Sequence, residues 1–290
     1  MHTDGQRVSD VQQRLLEWYA AQARDLPWRR SRDPYAILVA EVMLQQTQVD
    51  RVIPKWHAWL DRFPTLEVLA AASRADAIRQ WQGLGYNLRA VRLHDIACQV
   101  MTEYGGRLPT DVAGLLSLKG VGRYTAGAVA CFAYEQPVAM VDTNVRRVLS
   151  RVFGVAPAEV EPVADQVVPA QHAYPWNQAL MDLGATLCRA RGPLCLACPL
   201  VGVCQGPTWP VPSRAASPAV EKFHGSRRYY RGRLVEALRS LPHGQAMALA
   251  DLVAAVAAPD DAPRVADLAR QLASDGLLAL DATNHVRLAD

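Results

Sequence analysis

The sequence predicts a mainly helical protein with a small mixed helix-and-strand unit near its C-terminal end. Apolar residues recur at helical spacing through most of residues 1–204, and almost no stretch alternates polar and apolar residues as a half-buried strand does. A proline-rich segment that follows these residues then separates the helical part from a different pattern. These three observations set the fold class.

Short breaks containing glycine or proline separate the predicted helices of the first part, as expected where helices stop and start. Examples are Gly83-Leu84-Gly85, Gly105-Gly106 and Pro109-Thr110-Asp111. The predicted helices are Val11–Ala23, Tyr35–Trp59, Leu66–Trp81, Ala90–Tyr104, Val112–Leu118, Tyr124–Ala133, Val145–Val152 and Asn177–Leu187. We therefore expect residues 1–204 to be all-α.

The C-terminal pattern is three helices followed by a hairpin. We expect helices at Tyr229–Leu241, around Ala248–Ala257 and at Arg264–Ser274, and then strands at Leu277–Leu280 and His285–Leu288. This order predicts a winged-helix-like α+β unit. From residue 217 onward there are nine Lys or Arg and nine Asp or Glu residues, so the unit has no net charge. Direct reading of DNA by its third helix is therefore doubtful.

The overall composition is that of an ordinary globular protein. Half of the 290 residues are hydrophobic, which is enough for a substantial core. No apolar run reaches the length of a membrane span, and the first residues lack the features of a signal peptide. We expect a cytoplasmic monomer with no membrane partner, associated with the nucleoid if the source is prokaryotic. The net charge of +3 is only weak support for a polyanionic partner.

Four of the six cysteines lie within seventeen residues, in the order Cys188-x6-Cys195-x2-Cys198-x5-Cys204. Such clustering in a chain otherwise poor in cysteine indicates a shared metal centre. A 4Fe–4S cluster fits the spacing better than zinc, because only Cys195 and Cys198 form the short knuckle that structural zinc sites usually repeat. Zinc remains the alternative at this point. Cys98 and Cys131 lie in apolar helical surroundings, where we expect small core residues.

The segment Leu118-Lys119-Gly120-Val121-Gly122-Arg123-Tyr124-Thr125 places a two-glycine turn directly before a helix. Gly120 and Gly122 let the backbone approach an anion closely, and the N-terminus of the helix adds the positive end of its dipole. With the helix before it, the turn makes a helix-hairpin-helix, a module that holds the DNA backbone without reading sequence. Lys119 and Arg123 supply positive charge beside it. A plain helix connection is the alternative.

Two carboxylates stand out beyond this turn. Asp142 lies where the helix over Val145–Val152 should begin; it is either an ordinary N-cap or, with Asn144 beside it, a carboxylate that faces a developing positive charge. Glu41 lies on an apolar helical stripe, four residues after Ile37. Burial there should raise its pKa and suit it to donating a proton, unless it is simply paired with a nearby arginine.

Together these features resemble the helix-hairpin-helix DNA glycosylases with an iron–sulfur cluster, the endonuclease III superfamily, and within it the MutY-type adenine DNA glycosylases. The cysteine spacing matches that family's cluster motif, and the resemblance covers residues 10–205. The other matching segments are Leu26-Pro27-Trp28, Asp33-Pro34-Tyr35, Glu41-Val42-Met43-Leu44-Gln45-Gln46-Thr47-Gln48-Val49, Gly83-Leu84-Gly85-Tyr86, Gly120-Val121-Gly122-Arg123-Tyr124-Thr125-Ala126-Gly127-Ala128 and Met181-Asp182-Leu183-Gly184-Ala185.

The resemblance implies a six-helix barrel over residues 30–138 and a cluster domain built from residues 1–29 and 139–205. A linker at 206–220 and the winged-helix-like unit at 221–290 follow. DNA with a mismatched or damaged base pair would bind between the first two domains, and an adenine would be flipped out of the duplex, because its glycosidic bond is out of reach inside the stack.

By the same resemblance, Glu41 would protonate N7 of the adenine and Asp142 would stabilise the oxocarbenium ion or bond to it transiently. Asn144 and Tyr124 would position this pair, following the logic of a two-carboxylate glycosidase. Other residues match the family's contacts to DNA: Gln46 and Tyr86 wedge into the stack, Thr47 and Leu84 lie near the opposite base, and Arg189 and Arg191 bind phosphate.

Tyr124 separates this chain from the lyase branch, in which a lysine follows Gly-Val-Gly-Arg and attacks the sugar. A phenol cannot form a Schiff base, so we expect base removal without strand cleavage. Related thymine glycosylases that act on G·T mismatches also carry this tyrosine, but the run Gln45-Gln46-Thr47-Gln48 favours the adenine branch. A thymine or uracil glycosylase, or a non-catalytic iron–sulfur DNA-binding or redox protein, remain the rival interpretations.

The chain departs from the family pattern in three places. The C-terminal unit is too short and too helical for the Nudix-like domain that helps many members to recognise 8-oxoguanine. Asn87 replaces the second aromatic residue that usually follows Gly-Leu-Gly-Tyr, and Lys119 stands where the hairpin usually has proline. We expect an adenine glycosylase acting on A·8-oxoguanine or A·G pairs, with the choice between the two opposite bases left open.

Overall fold

The computed structural model describes residues 5–206 and 222–290. Most of the linker predicted at residues 206–220 therefore lies outside the described residues. The described residues form two compact units, one of residues 5–38, 109–117 and 121–206, and one of residues 39–108, 118–120 and 222–290. No helix among the described residues is both long and apolar enough to cross a membrane.

Helices build the first unit. They are α1 (Gly5–Gln22), the beginning of α2 (Pro34–Leu44), α7 (Val112–Ser117), α8 (Arg123–Tyr134), α9 (Thr143–Phe153), α10 (Val160–Val167) and α11 (Ala173–Thr186). Helix α11 packs against both α1 and α9, and apolar side chains such as Leu15, Leu149 and Trp176 form their shared core. The sequence analysis missed α10, which contributes Val160 and Val167 to that core.

The second unit contains the end of α2, the helices α3 (Val49–Arg62), α4 (Leu66–Ala71), α5 (Arg74–Gln80) and α6 (Leu88–Glu103), and the C-terminal residues. Two of the predictions are wrong because each of them joins two separate helices into one. The helix expected over Tyr35–Trp59 breaks at the polar residues 45–48, where Gln46 has a φ of 56°. The helix expected over Leu66–Trp81 divides at Ser73, whose hydroxyl accepts a hydrogen bond from the backbone of Asp76 and caps α5.

The C-terminal residues form the predicted winged-helix-like arrangement. Its elements are α12 (Arg227–Arg239), β1 (Met247–Ala248), α13 (Leu249–Val256), α14 (Ala262–Ser274), β2 (Leu278–Leu280) and β3 (His285–Leu288). The predicted hairpin is confirmed, with Leu280 opposite Val286 in an antiparallel pair. The sequence analysis missed β1, a two-residue strand that pairs with the other edge of β3, so the sheet order is β1-β3-β2.

Candidate functional site

Glu41 lies in the last turn and a half of α2 and is buried, with 3% of its surface exposed. The residues before it, from Tyr35 to Ala40, are also buried, so the carboxyl group belongs to a helix that is apolar on all sides. The predicted burial of Glu41 is confirmed. An apolar setting of this kind disfavours the ionised form of a carboxyl group.

Asp142 is the N-cap of α9, as one of the two sequence interpretations expected. Its Oδ1 accepts a hydrogen bond of 2.6 Å from the backbone N–H of Val145, and its Oδ2 accepts one of 3.2 Å from the side-chain amide of Asn144. The carboxylate is half-buried. Capping and catalysis do not exclude each other, because the cap hydrogen bond holds the carboxylate in place at the positive end of the helix dipole.

Asn144 is itself held from the other side. Its Oδ1 accepts a hydrogen bond of 2.8 Å from Arg147, and this guanidinium also donates to the backbone oxygens of Gly184 and Cys188, at 2.8 and 2.9 Å. A Cβ atom at position 184 would lie 2.9 Å from Cβ of Asn144, so only glycine fits there. These contacts link the Asp142 carboxylate to the chain that enters the cysteine loop.

The predicted helix-hairpin-helix is present as α7, a turn, and α8. Gly120 has a φ of 94°, which favours glycine, and Gly122 is the extended N-cap residue of α8. Gly120, Gly122 and Arg123 are exposed, so the backbone at the start of α8 is accessible to a phosphate. Tyr124 is half-buried in the first turn of α8, and its hydroxyl lies 3.8 Å from Sδ of Met181.

The four clustered cysteines line one cavity in the first unit, together with Arg151 and apolar side chains such as Leu183. Sγ of Cys188 accepts a 3.4 Å contact from the Arg151 guanidinium, and Sγ of Cys204 accepts one of 3.4 Å from the backbone N–H of Gly206. Among the described residues, no three His, Cys, Asp or Glu side chains are arranged to hold a metal ion.

The loop between Cys188 and Cys195 carries the two arginines predicted to bind phosphate. Arg189 and Arg191 are both exposed. Arg151 donates hydrogen bonds to the backbone oxygens of Arg189 and Ala190, at 2.8 and 3.3 Å. Arg151 therefore holds the backbone of this loop, while the side chains of Arg189 and Arg191 are exposed to solvent. Cys131 is a buried core residue, as expected, and Cys98 is half-buried in α6.

The residues predicted to contact the mismatch lie in two loops of the second unit. Gln46 and Thr47 follow α2, while Leu84 and Tyr86 precede α6. Gln46 and Tyr86 are exposed, and both have a positive φ, of 56° and 47°. Thr47 is half-buried and Leu84 is buried. Two exposed side chains held in an uncommon backbone conformation suit insertion into a base stack better than the buried Leu84 does.

Sequence reasoning missed Arg89, the residue that ties these two loops together. Only 4% of Arg89 is exposed. One terminal nitrogen donates to the oxygens of Val42, Met43 and Gln45 at 2.7–3.0 Å, and the other donates to Thr47, Leu84 and Gly85 at 3.0–3.2 Å. Burial lowers the pKa of Arg89 to about 10, so it stays cationic at neutral pH. Its position four residues before Leu93, on the buried face of α6, was the available signal.

Sequence reasoning also missed the role of Asp182, a buried residue of α11. Its carboxylate accepts hydrogen bonds of 2.7–3.1 Å from the side chain and backbone of Arg24 and from the side chain of Arg29. Burial alone would raise the pKa of Asp182, but the hydrogen bonds and charges of the two arginines outweigh it and hold that pKa below its usual range. Asp182 thus fastens the segment after α1 to the first unit.

Comparison with known proteins agrees with this arrangement. The profile of the HhH-GPD superfamily of base excision DNA repair proteins matches residues 39–168. An adenine DNA glycosylase of Mycolicibacterium smegmatis is 47% identical over 78% of this chain and 79% of its own length. The human adenine DNA glycosylase is 44% identical over 66% of this chain and 38% of its own length.

A solved structure of a thermostable thymine-DNA glycosylase superposes with a TM-score of 0.66 at 31% identity, covering 69% of this chain and 95% of that one. An endonuclease III–DNA complex, 23% identical with a TM-score of 0.62 over 70% of this chain and 96% of that one, shares the fold. The predicted fold class is thereby confirmed. The chain belongs to the HhH-GPD superfamily of base excision DNA repair proteins and, within it, to the adenine DNA glycosylases.

Proposed function

We propose that this protein removes adenine from duplex DNA in which the adenine is mispaired with 8-oxoguanine or guanine, and that it leaves the strand uncut. The observation that carries the proposal is the combination of a buried Glu41 with a capped, half-buried Asp142 in a chain that is 44–47% identical to adenine DNA glycosylases. The thymine-DNA glycosylase is less similar in sequence.

In the proposed reaction, Glu41 donates its proton to N7 of a flipped adenine. The bond between N9 and C1′ then breaks, and its electron pair leaves with the base. A helix buried on all sides favours a neutral carboxyl group, which is the form that can donate a proton. The sugar is left as an oxocarbenium ion, and a water molecule adds at C1′ to give an abasic site. The proton that this water loses would return Glu41 to its neutral form.

Asp142 faces the positive charge that develops on the sugar. The amide of Asn144 donates to one carboxylate oxygen, and Arg147 holds that amide, so Asp142 needs little reorganisation during the reaction. Tyr124 supplies no amine, and the abasic product would therefore leave without strand cleavage.

We also propose that DNA is held mainly through its phosphates. The exposed backbone at Gly120 and Gly122, with Arg123, suits one phosphate, and the exposed Arg189 and Arg191 suit others. Gln46 and Tyr86 would enter the base stack around the mispair, with Thr47 and Leu84 nearby. In this proposal, residues 1–29 and 139–205 form the cluster domain and residues 30–138 the barrel.

A 4Fe–4S cluster held by Cys188, Cys195, Cys198 and Cys204 completes the proposal. The fit is supported by the shared cavity, by its largely apolar wall and by the N–H groups directed at two of the sulfur atoms. When bound, the cluster would cross-link the loop that carries Arg189 and Arg191 and would take no part in breaking the glycosidic bond.

Metal content tests the cluster directly. Protein purified without oxygen should be brown and hold about four irons per chain. The Cys198→Ser variant should lose the colour and bind duplex DNA more weakly, with a smaller change in the rate of the chemical step. One zinc per chain and no iron in the anaerobic protein would contradict the assignment.

Base release from labelled duplexes tests the activity. Duplexes containing A·8-oxoguanine, A·G, T·G or U·G are incubated with the protein, and alkali then cuts the strand at abasic sites. We expect alkali-dependent cleavage at adenine and intact strands without alkali. Release from T·G or U·G but not from the adenine pairs would overturn the proposal.

A further inference from the structure

The C-terminal winged-helix-like unit shares one hydrophobic core with helices α5 and α6. Ala75 and Ile78 of α5 and Val91 of α6 belong to the same buried cluster as Leu234 and Leu238 of α12. A unit joined by a common core is held rigidly and does not move as an independent module. It is therefore able to fix the loop that connects α5 to α6.

Polar contacts fix that loop from the same side. The buried guanidinium of Arg239 donates to the backbone oxygen of Ile78, at 2.9 and 3.0 Å, and to Oδ1 of Asn87, at 2.9 Å. In the opposite direction, Arg79 of α5 donates hydrogen bonds to the backbone oxygens of Arg239 and Leu241, at 2.6 and 3.0 Å. Asn87, the residue that departs from the family's second aromatic, thus has a partner in the C-terminal unit.

The ring of Tyr86, next to Asn87, faces two arginines. The guanidinium of Arg228, in the first turn of α12, lies 4.7 Å from the ring centroid, and that of Arg89 lies 5.7 Å from it. Tyr86 is 44% exposed and has a φ of 47°, an uncommon conformation for a residue with a side chain. A strained and exposed aromatic residue persists in one conformation only when its surroundings hold it.

We propose that the C-terminal unit acts as a clamp on the loop between α5 and α6, which carries Tyr86 and Asn87. Arg228, through its cation–π contact with Tyr86, and Arg239, through its hydrogen bond to Asn87, hold Tyr86 in a conformation that can enter the base stack. This inference rests on the proposed function only where it is tested by the rate of adenine release. It makes Arg228 and Arg239 positioning residues, and it gives the C-terminal unit a role in mispair recognition that needs no contact of its own with a base. The absence of net charge on the unit agrees with such an indirect role.

Hydrogen exchange tests the clamp without relying on catalysis. In Arg228→Gln, the backbone amides of residues 83–89 should exchange about threefold faster, the size of effect expected from one partly exposed cation–π pair. Asn87→Ala, which removes the acceptor of Arg239, should give about a tenfold increase, because a hydrogen bond to a charged group is stronger. Unchanged exchange in both variants would overturn the proposal.

The matched control is Arg233→Gln, which removes the same charge from the same helix. Arg233 stacks on Tyr229, 5.7 Å from the ring centroid, and its described hydrogen bonds go to Tyr229 and Ala255 rather than to residues 83–89. We expect exchange at residues 83–89 in this variant to equal that of the parent protein. If hydrogen exchange at residues 83–89 were accelerated equally in Arg228→Gln and Arg233→Gln, loss of a positive charge alone would explain the effect. That result would contradict the clamp.

A double-mutant cycle on adenine release then asks whether Arg228 acts through Tyr86. Arg228→Gln should slow single-turnover release from an A·8-oxoguanine duplex about threefold in the parent, and should have no further effect in a Tyr86→Ala background. An effect of equal size in both backgrounds would mean that Arg228 acts on DNA directly, and the clamp would be wrong. If the parent released no adenine, the proposed function would fail, whereas the exchange measurements would still decide the clamp.

Discussion

Replacing Arg89 with methionine should separate the two loops that carry Gln46 and Tyr86. The change keeps most of the side-chain volume and removes the six hydrogen bonds that the guanidinium donates. Three of the acceptors, the oxygens of Gln45, Thr47 and Gly85, belong to exposed or half-buried loop residues and regain water. The other three, the backbone oxygens of Val42, Met43 and Leu84, belong to buried residues and stay unsatisfied, at a cost of about 1–3 kcal/mol each.

An opposing term reduces this cost. Burial lowers the pKa of Arg89 to about 10, and at about 1.4 kcal/mol per pH unit this corresponds to roughly 3 kcal/mol of lost solvation that methionine does not incur. The three unsatisfied acceptors cost about 6 kcal/mol at the middle of that range, which exceeds the solvation regained, so we expect the free energy of unfolding to fall by roughly 3 kcal/mol. Activity should suffer more, because the loops lose their common support while the fold remains.

Two measurements check this prediction: thermal unfolding, and single-turnover release of adenine at saturating duplex. We expect a lower Tm and at least a tenfold slower release in Arg89→Met. Arg89→Lys should recover little activity, because an ammonium group has three donors and cannot span both loops as the fork of arginine does. The control is Arg62→Met, which removes an exposed arginine of the same unit. Full activity and an unchanged Tm in Arg89→Met would show that Arg89 does not hold the two loops together.

Three further predictions concern the first unit. Asp142→Asn should remove most base release but leave Tm nearly unchanged, since asparagine also caps helices; retained release in a duplex cleavage assay would exclude the charge-stabilising role. Tyr124→Lys should yield a protein–DNA adduct trapped by borohydride, whereas a variant that excises adenine but never cross-links would place this residue away from C1′. Asp182→Asn should lower the free energy of unfolding by about 3–5 kcal/mol at neutral pH. Because the folded pKa of Asp182 is depressed, its contribution is present above the unfolded pKa and is lost as the pH falls through the folded value. Denaturant unfolding should therefore show the parent and variant converging in acid, and a difference that does not depend on pH would contradict the ion-pair account.

Periodicity predicted most helices of the fold because their apolar stripes are local properties of the chain. Periodicity did not predict the two places where a helix ends for a reason other than the spacing of its apolar residues. The break after α2 comes from a polar run in which Gln46 adopts a left-handed conformation, and the break before α5 comes from the Ser73 cap. Strand β1 is two residues long and exists only because β3 offers it an edge, so no periodic signal was available.

The candidate site shows the same division. The N-cap position of Asp142 and the burial of Glu41 could be predicted, because a helix start and an apolar stripe are visible in the sequence. The six contacts of Arg89 could not, since its acceptors come from segments up to 47 residues distant along the chain. The contacts of Asn87 and Tyr86 with α12 join residues more than 140 positions apart, and no local pattern reports such a pairing.

In the proposed reaction Glu41 supplies the proton that releases adenine, and the Glu41→Gln variant separates this role from DNA binding. Glu41→Gln keeps the shape of the buried side chain and removes its acidic proton. We compare the affinity of the parent and variant for an A·8-oxoguanine duplex, and their single-turnover rates of adenine release at saturating enzyme. We expect unchanged affinity and a rate lower by about 100-fold or more, the usual contribution of general acid catalysis. Release within about tenfold of the parent rate would contradict this expectation, and Glu41 would then be a structural residue.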